Sequence, residues 1–313
     1  MVDLDFNRAT TLVASPNLGT RDNVRMVLQA LGFGTIKGVG TFTRLEEEIE
    51  SPDLDLLVCE AEFPDGSPAD LVHAMRHNNV GCNPFLPIIT FTDLPSDLLV
   101  SQVIDAGSDD VLVMPFSVEQ MNRRVTTLVL SRKPFVVTSD YVGPDRRRDE
   151  ARPAKRADMD TLFDVPNPLR ARALGEATTE DLQQAVDAMI AQVNLSKLRR
   201  HAVQVGLLVD RILRDIETCA DPAGIAADLD RLLYIARDIA RRLVGTAFDH
   251  VSTLCQSLIS VSERLRRDLA MPRAKDLKLM RPMSQAVQAA FDVETEVALL
   301  ATEISRAVTR DQR

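Results

Sequence analysis

The residue best placed to do chemistry is Glu60. It ends an apolar run, Leu56-Leu57-Val58-Cys59, and is followed by Glu62, Phe63 and a Pro64-Asp65-Gly66 turn. A carboxylate there can accept a transferred group, ligate a cation, or simply stand as a solvated charge at a strand end. The four cysteines, Cys59, Cys82, Cys219 and Cys255, lie too far apart to set a metal spacing. His77 and His250 have no motif around them, and no histidine has a cysteine or carboxylate pattern that suggests a metal. His201 lies between Leu198 and Val205 on an apolar stripe, which suits a satisfied buried imidazole better than a phosphorylated one.

A continuous apolar run suits a strand covered on both faces, as in a parallel sheet between helices. Reactive groups in such sheets sit just beyond the carboxyl ends of the strands, where Glu60 would lie. The neighbouring sequence supplies the other elements. Strands are expected at Thr11–Ala14, Ile36–Val39, the run into Glu60, Phe85–Phe91 and Val111–Val113. Helices are expected from a Thr20 cap through Val24, Val27, Leu28 and Leu31, then at Thr43–Ile49, around Leu71–Met75, at Leu98–Ile104 and at Val118–Leu130. Gly32 and Gly34 would stop the first of them. Five β-α repeats predict an α/β unit with a parallel sheet in the flavodoxin-like order.

The chain has 313 residues, room for about two domains. Its 45% hydrophobic and 27% charged content is ordinary for a globular protein. The net charge of -9, with no Trp and two Tyr, argues against a nucleic-acid footprint and against base-stacking platforms. No apolar run approaches a membrane span. The N-terminus lacks a basic-then-apolar secretion signal, so a cytoplasmic location with reduced thiols is expected.

Residues 8–133 resemble the receiver domain of two-component response regulators. The resemblance rests on the run into Glu60 with Phe63-Pro64-Asp65-Gly66, on Pro87-Ile88-Ile89 reaching Thr92, and on Ala106-Gly107-Ser108-Asp109-Asp110 before Pro115-Phe116. Arg76-His77-Asn78-Asn79, Asn83-Pro84-Phe85 and the stretch from Phe135-Val136-Val137 to Asp145-Arg146-Arg147 are similar to an alphaproteobacterial subgroup. The resemblance implies an acidic pair after the first strand to hold Mg²⁺; those positions are Ser15 and Pro16. The implied phospho-accepting Asp is Glu60, one methylene longer. The implied Lys is Met114, and the switch hydroxyl is kept as Thr92. Phosphoryl transfer depends on such positioning and charge neutralisation. A cation site rebuilt from Glu60, Glu62, Asp93, Asp109 and Asp110 would still lack the countercharge. No cofactor is therefore expected, Mg²⁺ included. Glu60 is either a solvated carboxylate or a fixed charge imitating a phosphorylated acceptor.

Residues 134–177 read as a charged linker. Asp145–Arg156 is nearly free of apolar residues and suits a solvated spacer, while Phe135-Val136-Val137 and Leu162-Phe163 would order parts of it by docking on a neighbouring surface. Residues 178–313 read as an antiparallel four- or five-helix bundle. Thr178-Thr179-Glu180-Asp181 starts a helix with stripe residues from Leu182 to Ile216, with a break expected near Asn194 and Ser196. Asp221-Pro222 starts the next, Gly245-Thr246 punctuates, and Pro282 is a place for a helix start to reset. This half is similar to a histidine-phosphotransfer domain through Gly245-Thr246-Ala247-Phe248 and Asp276–Arg281. The position implied for the phosphorylated His is Arg237 and that for the Lys is Ala240. Arginine remains protonated and cannot carry phosphoryl.

The expected function is that of a two-component signalling protein, not an enzyme. It would act as a phosphorylation-independent adaptor or regulator binding a histidine kinase, a phosphotransfer protein or another receiver. Contact is expected through Leu98–Ile104, Val111–Val113 and Val118–Leu130. Two alternatives stand beside it: a phosphorelay member phosphorylated on Glu60 or His201, and an oligomeric scaffold built through Leu182–Ile216.

Overall fold

The computed structural model describes residues 4–138, 140–146, 162–243 and 249–291. Five strands, β1 (Thr10–Ala14), β2 (Thr35–Val39), β3 (Leu56–Glu60), β4 (Ile88–Thr92) and β5 (Asp110–Val113), form a parallel sheet in the order β2-β1-β3-β4-β5. This is the flavodoxin-like order the repeats predicted. Side chains alternate between two cores, as a period of two requires. Leu56 and Val58 face the core shared with Val24, Leu28, Met121 and Val125, whereas Leu57 and Cys59 face that shared with Leu45, Leu71, Val72 and Met75.

The helices are α1 (Leu18–Ala30), α2 (Phe42–Glu48), α3 (Pro68–Arg76), α4 (Asp97–Ala106) and α5 (Val118–Leu130). Their starts are capped by Asn17, Thr41, Ser67, Ser96 and Ser117, each accepting a backbone N–H three residues on. The cap of α1 is Asn17 and not Thr20, because the Asn17 carbonyl oxygen takes the Thr20 N–H at 3.1 Å. β4 starts at Ile88, three residues later than expected. Pro84 and Pro87 have no N–H to give a ladder.

The described parts of residues 134–177 are folded. β6 (Phe135–Val137), β7 (Val142–Pro144) and β8 (Leu162–Phe163) form an antiparallel sheet in the order β7-β6-β8. Helix α6 (Pro168–Leu174) follows, and its Leu169 and Ala173 are buried in the core of α1 and α5. Phe135, Val137 and Val142 are buried with Phe85, the docking expected of the Phe135-Val136-Val137 run. The arginine-rich stretch Arg147–Arg156 lies outside the described residues.

Helix α7 (Thr179–Glu217) runs 39 residues without the break expected at Asn194. Asn194 does not cap a new helix; its side-chain oxygen accepts a hydrogen bond from Arg242 Nη1 at 2.6 Å. The chain divides into two compact units at Val193/Asn194, within this helix. In the second unit the later part of α7, α8 (Pro222–Leu243), α9 (Asp249–Arg267) and α10 (residues 274–291) surround one core that includes Val205, Ile212, Leu229, Ile239, Leu258 and Met280. α10 passes through Pro282 without resetting. The sequence-predicted stripe residues Val297, Leu300, Ile304 and Val308 lie outside the described residues. Among the described residues no helix is long and apolar enough to cross a membrane.

Candidate functional site

Glu60 stands half-buried at the carboxyl end of β3, paired in register with Phe91 of β4. Its partner is Ser15, one residue past β1 and fully buried, whose hydroxyl donates to Glu60 Oε2 at 2.5 Å. The same hydroxyl oxygen accepts the Asn17 N–H at 3.2 Å, so it links the carboxylate to the turn that opens α1. The Ser15 carbonyl accepts a hydrogen bond from Arg21 Nη1 at 2.5 Å. Arg21 reaches that point across Gly40, where a Cβ would stand 2.6 Å from its Nη1. The mouth of the sheet thus holds a guanidinium, aimed at a backbone carbonyl. Sequence reading missed Arg21 because its position depends on a distant glycine, Gly40, just past the end of β2.

Pro16 is exposed beside Ser15. Thr92 is buried at the end of β4, and its hydroxyl oxygen accepts the Leu94 N–H at 3.2 Å. Met114 follows β5; its N–H donates to the Thr92 carbonyl at 2.8 Å and its side chain packs with the core of α1 and α5. Among the described residues the hydroxyl at hydrogen-bond distance from Glu60 is that of Ser15, not of Thr92.

The five carboxylates considered as a cation site do not assemble. Glu62 and Asp93 are exposed near the carboxyl end of the sheet. Asp110 pairs with Ile89 at the start of β5, which places it and Asp109 toward the opposite end from Glu60. Among the described residues there is no group of three or more His, Cys, Asp or Glu side chains that could hold a metal.

Asp109 is instead the centre of a buried ion cluster. Its carboxylate accepts from Arg132 Nε (2.7 Å) and Nη2 (3.0 Å), from Arg76 Nη2 (3.0 Å) and from the Ile88 N–H (2.9 Å). Burial alone would push its pKa up, but Arg132 and Arg76 outweigh burial and hold it below the usual carboxylate range. Arg76, fully buried, is lowered to about 10 chiefly by desolvation. A second buried carboxylate, Asp55, takes the Thr10 N–H at 2.8 Å and faces Arg172 of α6 at 3.4 Å. With that weaker partner, burial dominates and pushes it up to about 6.

In the second unit Arg237 is exposed and paired with Glu263 at 2.7 Å, while Ala240 is buried. His201 is 1% exposed, and its Nδ1 lies 3.4 Å from Asp238 Oδ2. Burial opposes ionisation of Asp238, yet hydrogen bonds from Arg242 and Arg241, with His201 beside it, hold its pKa at about 2. His77 is buried and stacks on His73 with ring centroids 4.1 Å apart. The Gly245–Phe248 turn lies outside the described residues.

The surface expected to make contacts is apolar at several points. Leu98 of α4 is 70% exposed, Val113 of β5 and Val118 of α5 are also exposed, and Leu94, before α4, is 72% exposed. A groove of about 330 Å³ is lined by Val24, Met26, Val27, Met114, Phe116 and Val118, among others.

The sheet order, the carboxylate at the end of β3 and the turn after β5 together define a doubly wound unit of the receiver type. The N-terminal part of the chain is similar to the receiver domains of curated response regulators. "Response regulator protein PmrA" of Pseudomonas aeruginosa is 29% identical over 117 residues, 37% of this chain and 51% of that protein. "Probable transcriptional regulatory protein TcrX" of Mycobacterium tuberculosis is 30% identical over 139 residues, 44% of this chain and 55% of that protein. The chain thus spans about half the length of these curated relatives. Among solved structures, the chemotaxis protein CheY4 of Vibrio cholerae is 19% identical with a TM-score of 0.34, covering 38% of this chain and 96% of that one. The response regulator DrrB of Thermotoga maritima is 23% identical with a TM-score of 0.33, covering 38% and 52%. No protein-family model matches.

Proposed function

We propose that this chain is a two-component signalling protein of the alphaproteobacterial type, in which a degenerate receiver followed by a phosphotransfer-like helical unit acts without phosphorylation. It works in the cytoplasm as a non-enzymatic adaptor or regulator that binds a histidine kinase, a phosphotransfer protein or another receiver. One observation carries the reading: the Glu60 carboxylate is satisfied by the neutral hydroxyl of buried Ser15. A receiver that holds Mg²⁺ places an acid where Ser15 stands and a lysine where Met114 stands, and neither charge is here. Arg21 adds a cation at the mouth, but its Nη1 is bound to the Ser15 carbonyl. The pairing of Arg237 with Glu263 and the burial of His201 support the same view of the second unit.

Exposed Leu98, Val113 and Val118 support binding through α4, β5 and α5. The test is intact-mass measurement after incubation with acetyl phosphate and Mg²⁺. No gain is expected; a phosphoryl adduct on Glu60 or His201 overturns the reading. A second reading, self-association through α7, is favoured by Val203 and Leu207. They are 55% and 66% exposed and four residues apart on one helix face. Sedimentation of the full chain decides it: a monomer at high concentration removes it.

A further inference from the structure

We propose that β6–β8 and the first turns of α7 form a built-in brace that fixes β5 and the end of α5 through a shared pair of guanidiniums. Its consequence for the contact surface rests on the phosphorylation-independent reading; the brace itself stands on packing within the N-terminal unit. Three elements meet at Asp109. Arg76 ends α3, Ile88 starts β4, and Arg132 follows α5; together they give the carboxylate four hydrogen bonds. A carboxylate offers about four acceptor sites, so Asp109 is saturated.

The two guanidiniums share one carboxylate, which leaves an excess of positive charge in a buried place. Backbone carbonyls answer part of it. Arg76 donates to Gly107, Pro84 and Leu86 at 2.9, 2.7 and 2.8 Å, and Arg132 donates to Phe85 at 2.7 Å. Arg132 also reaches the carbonyls of Pro166 and Leu86 at 3.4 Å, and the ring of Phe135 in β6 faces both cations. Both guanidinium carbons lie over it, at 5.0 and 4.9 Å from its centroid. A ring face attracts cations most strongly where water is excluded, and Phe135 is 0% exposed.

The added sheet is held against the same point by two further contacts. Arg146, after β7, donates to the carbonyls of Ser108 and Asp109. Gly107 and Gly143 let the end of α4 and β7 approach so closely that a Cβ on Gly143 would stand 2.9 Å from Gly107 Cα. Val186 and Val193 of α7 close the cluster around Phe135. Removing Phe135 would therefore loosen Asp109 and Arg132, and with them β5 and the last turn of α5. None of these contacts involves Glu60. The geometry thus sets the position of the α4-β5-α5 surface from the amino end of the sheet, without reference to the acceptor position.

Hydrogen exchange on the full chain tests this with Phe135→Leu, which keeps apolar bulk but removes the ring face, and Arg132→Lys, which keeps charge but removes the planar fork. Both are expected to speed amide exchange about tenfold at Asp110–Val113 and Thr127–Leu130, and to leave β1 and β2 as they were. Glu60→Ala is expected to leave exchange at Asp110–Val113 unchanged. The brace is overturned if neither variant alters those two segments, if both loosen β1 and β2 equally, or if Glu60→Ala reproduces the effect at β5. The outcome is separable from the phosphorylation question, which is decided by mass gain on Glu60 or His201.

Discussion

The two ends of the N-terminal sheet hold their carboxylates under opposite conditions. At the carboxyl end Glu60 is half-buried and meets one neutral hydroxyl. At the amino end Asp109 is buried and meets two guanidiniums and a backbone N–H. Asp55 lies at the same amino end, also buried, with Arg172 at 3.4 Å and an N–H at 2.8 Å. Strong, dry ion pairing is thus concentrated away from the position where a receiver would do chemistry. The amino end is where the chain's additions, β6–β8 and α6, are attached. The charged groups of this domain hold the additions in place, and the acceptor position is left with a hydrogen bond that needs no cation.

The largest effect expected from this difference is at Asp109. Replacing it by Ala strands two buried guanidiniums, and loss of one partner from a buried ion cluster costs about 3–5 kcal/mol. Urea unfolding of Asp109→Ala beside Glu60→Gln measures the contrast. A loss at Asp109 no larger than that at Glu60 breaks it.

The next effect separates Asp109 from Asp55 by pH. Asp55 is raised to about 6 in the folded chain, so its protonated form is favoured by folding. Its contribution to stability is full below its unfolded pKa near 4 and is lost as pH rises through about 6. The loss is about 2–3 kcal/mol over that window. Asp109 is lowered, so its contribution is full above the same unfolded value and is lost as pH falls below it. Unfolding midpoints between pH 4 and 7 should therefore flatten in Asp55→Asn. An unchanged slope there would show that Asp55 does not titrate in that range.

How far these contrasts were legible in the sequence differs by residue. The run into Glu60 was readable from its apolar pattern, and the positions Ser15 and Met114 from the resemblance to receiver domains. The five-strand order followed from the same repeats. The division of carboxylates between the two ends was not readable: Asp109 and Asp110 precede β5, and only the register Asp110 with Ile89 shows that they cannot reach Glu60. Within residues 134–177 the docking of Phe135-Val136-Val137 was readable from its apolar run, but the role of Arg146 was not, since it looks solvated and yet bonds to the carbonyls of Ser108 and Asp109. Asn194 looked like a helix break because its partner, Arg242, lies 48 residues away.

A smaller effect tests Gly107, which has φ +101° and would place a Cβ 2.8 Å from the Val142 carbonyl. Gly175 also has positive φ, +64°, but nothing within 4 Å. Alanine at Gly107 should cost more than alanine at Gly175, where the left-handed backbone alone costs about 1–2 kcal/mol. Equal midpoints in thermal unfolding would show that β7 does not press on the end of α4.

The smallest effect is at the acceptor position itself. Ser15→Ala removes the hydroxyl that Glu60 uses, and a net hydrogen bond of this kind contributes about 0.5–1.5 kcal/mol. Glu60 is only half-buried, so water can replace the lost donor and the value should fall at the low end. Glu60→Gln keeps an acceptor for the Ser15 hydroxyl and should change stability by less than about 0.5 kcal/mol. In a double-mutant cycle the coupling between Ser15→Ala and Glu60→Gln should be close to zero, because the glutamine amide oxygen still takes the Ser15 hydroxyl and Ser15→Ala costs the same in both backgrounds. A coupling of several kcal/mol would mean that Glu60 carries a structural charge comparable with Asp109. The contrast between the two ends of the sheet would then be one of burial alone.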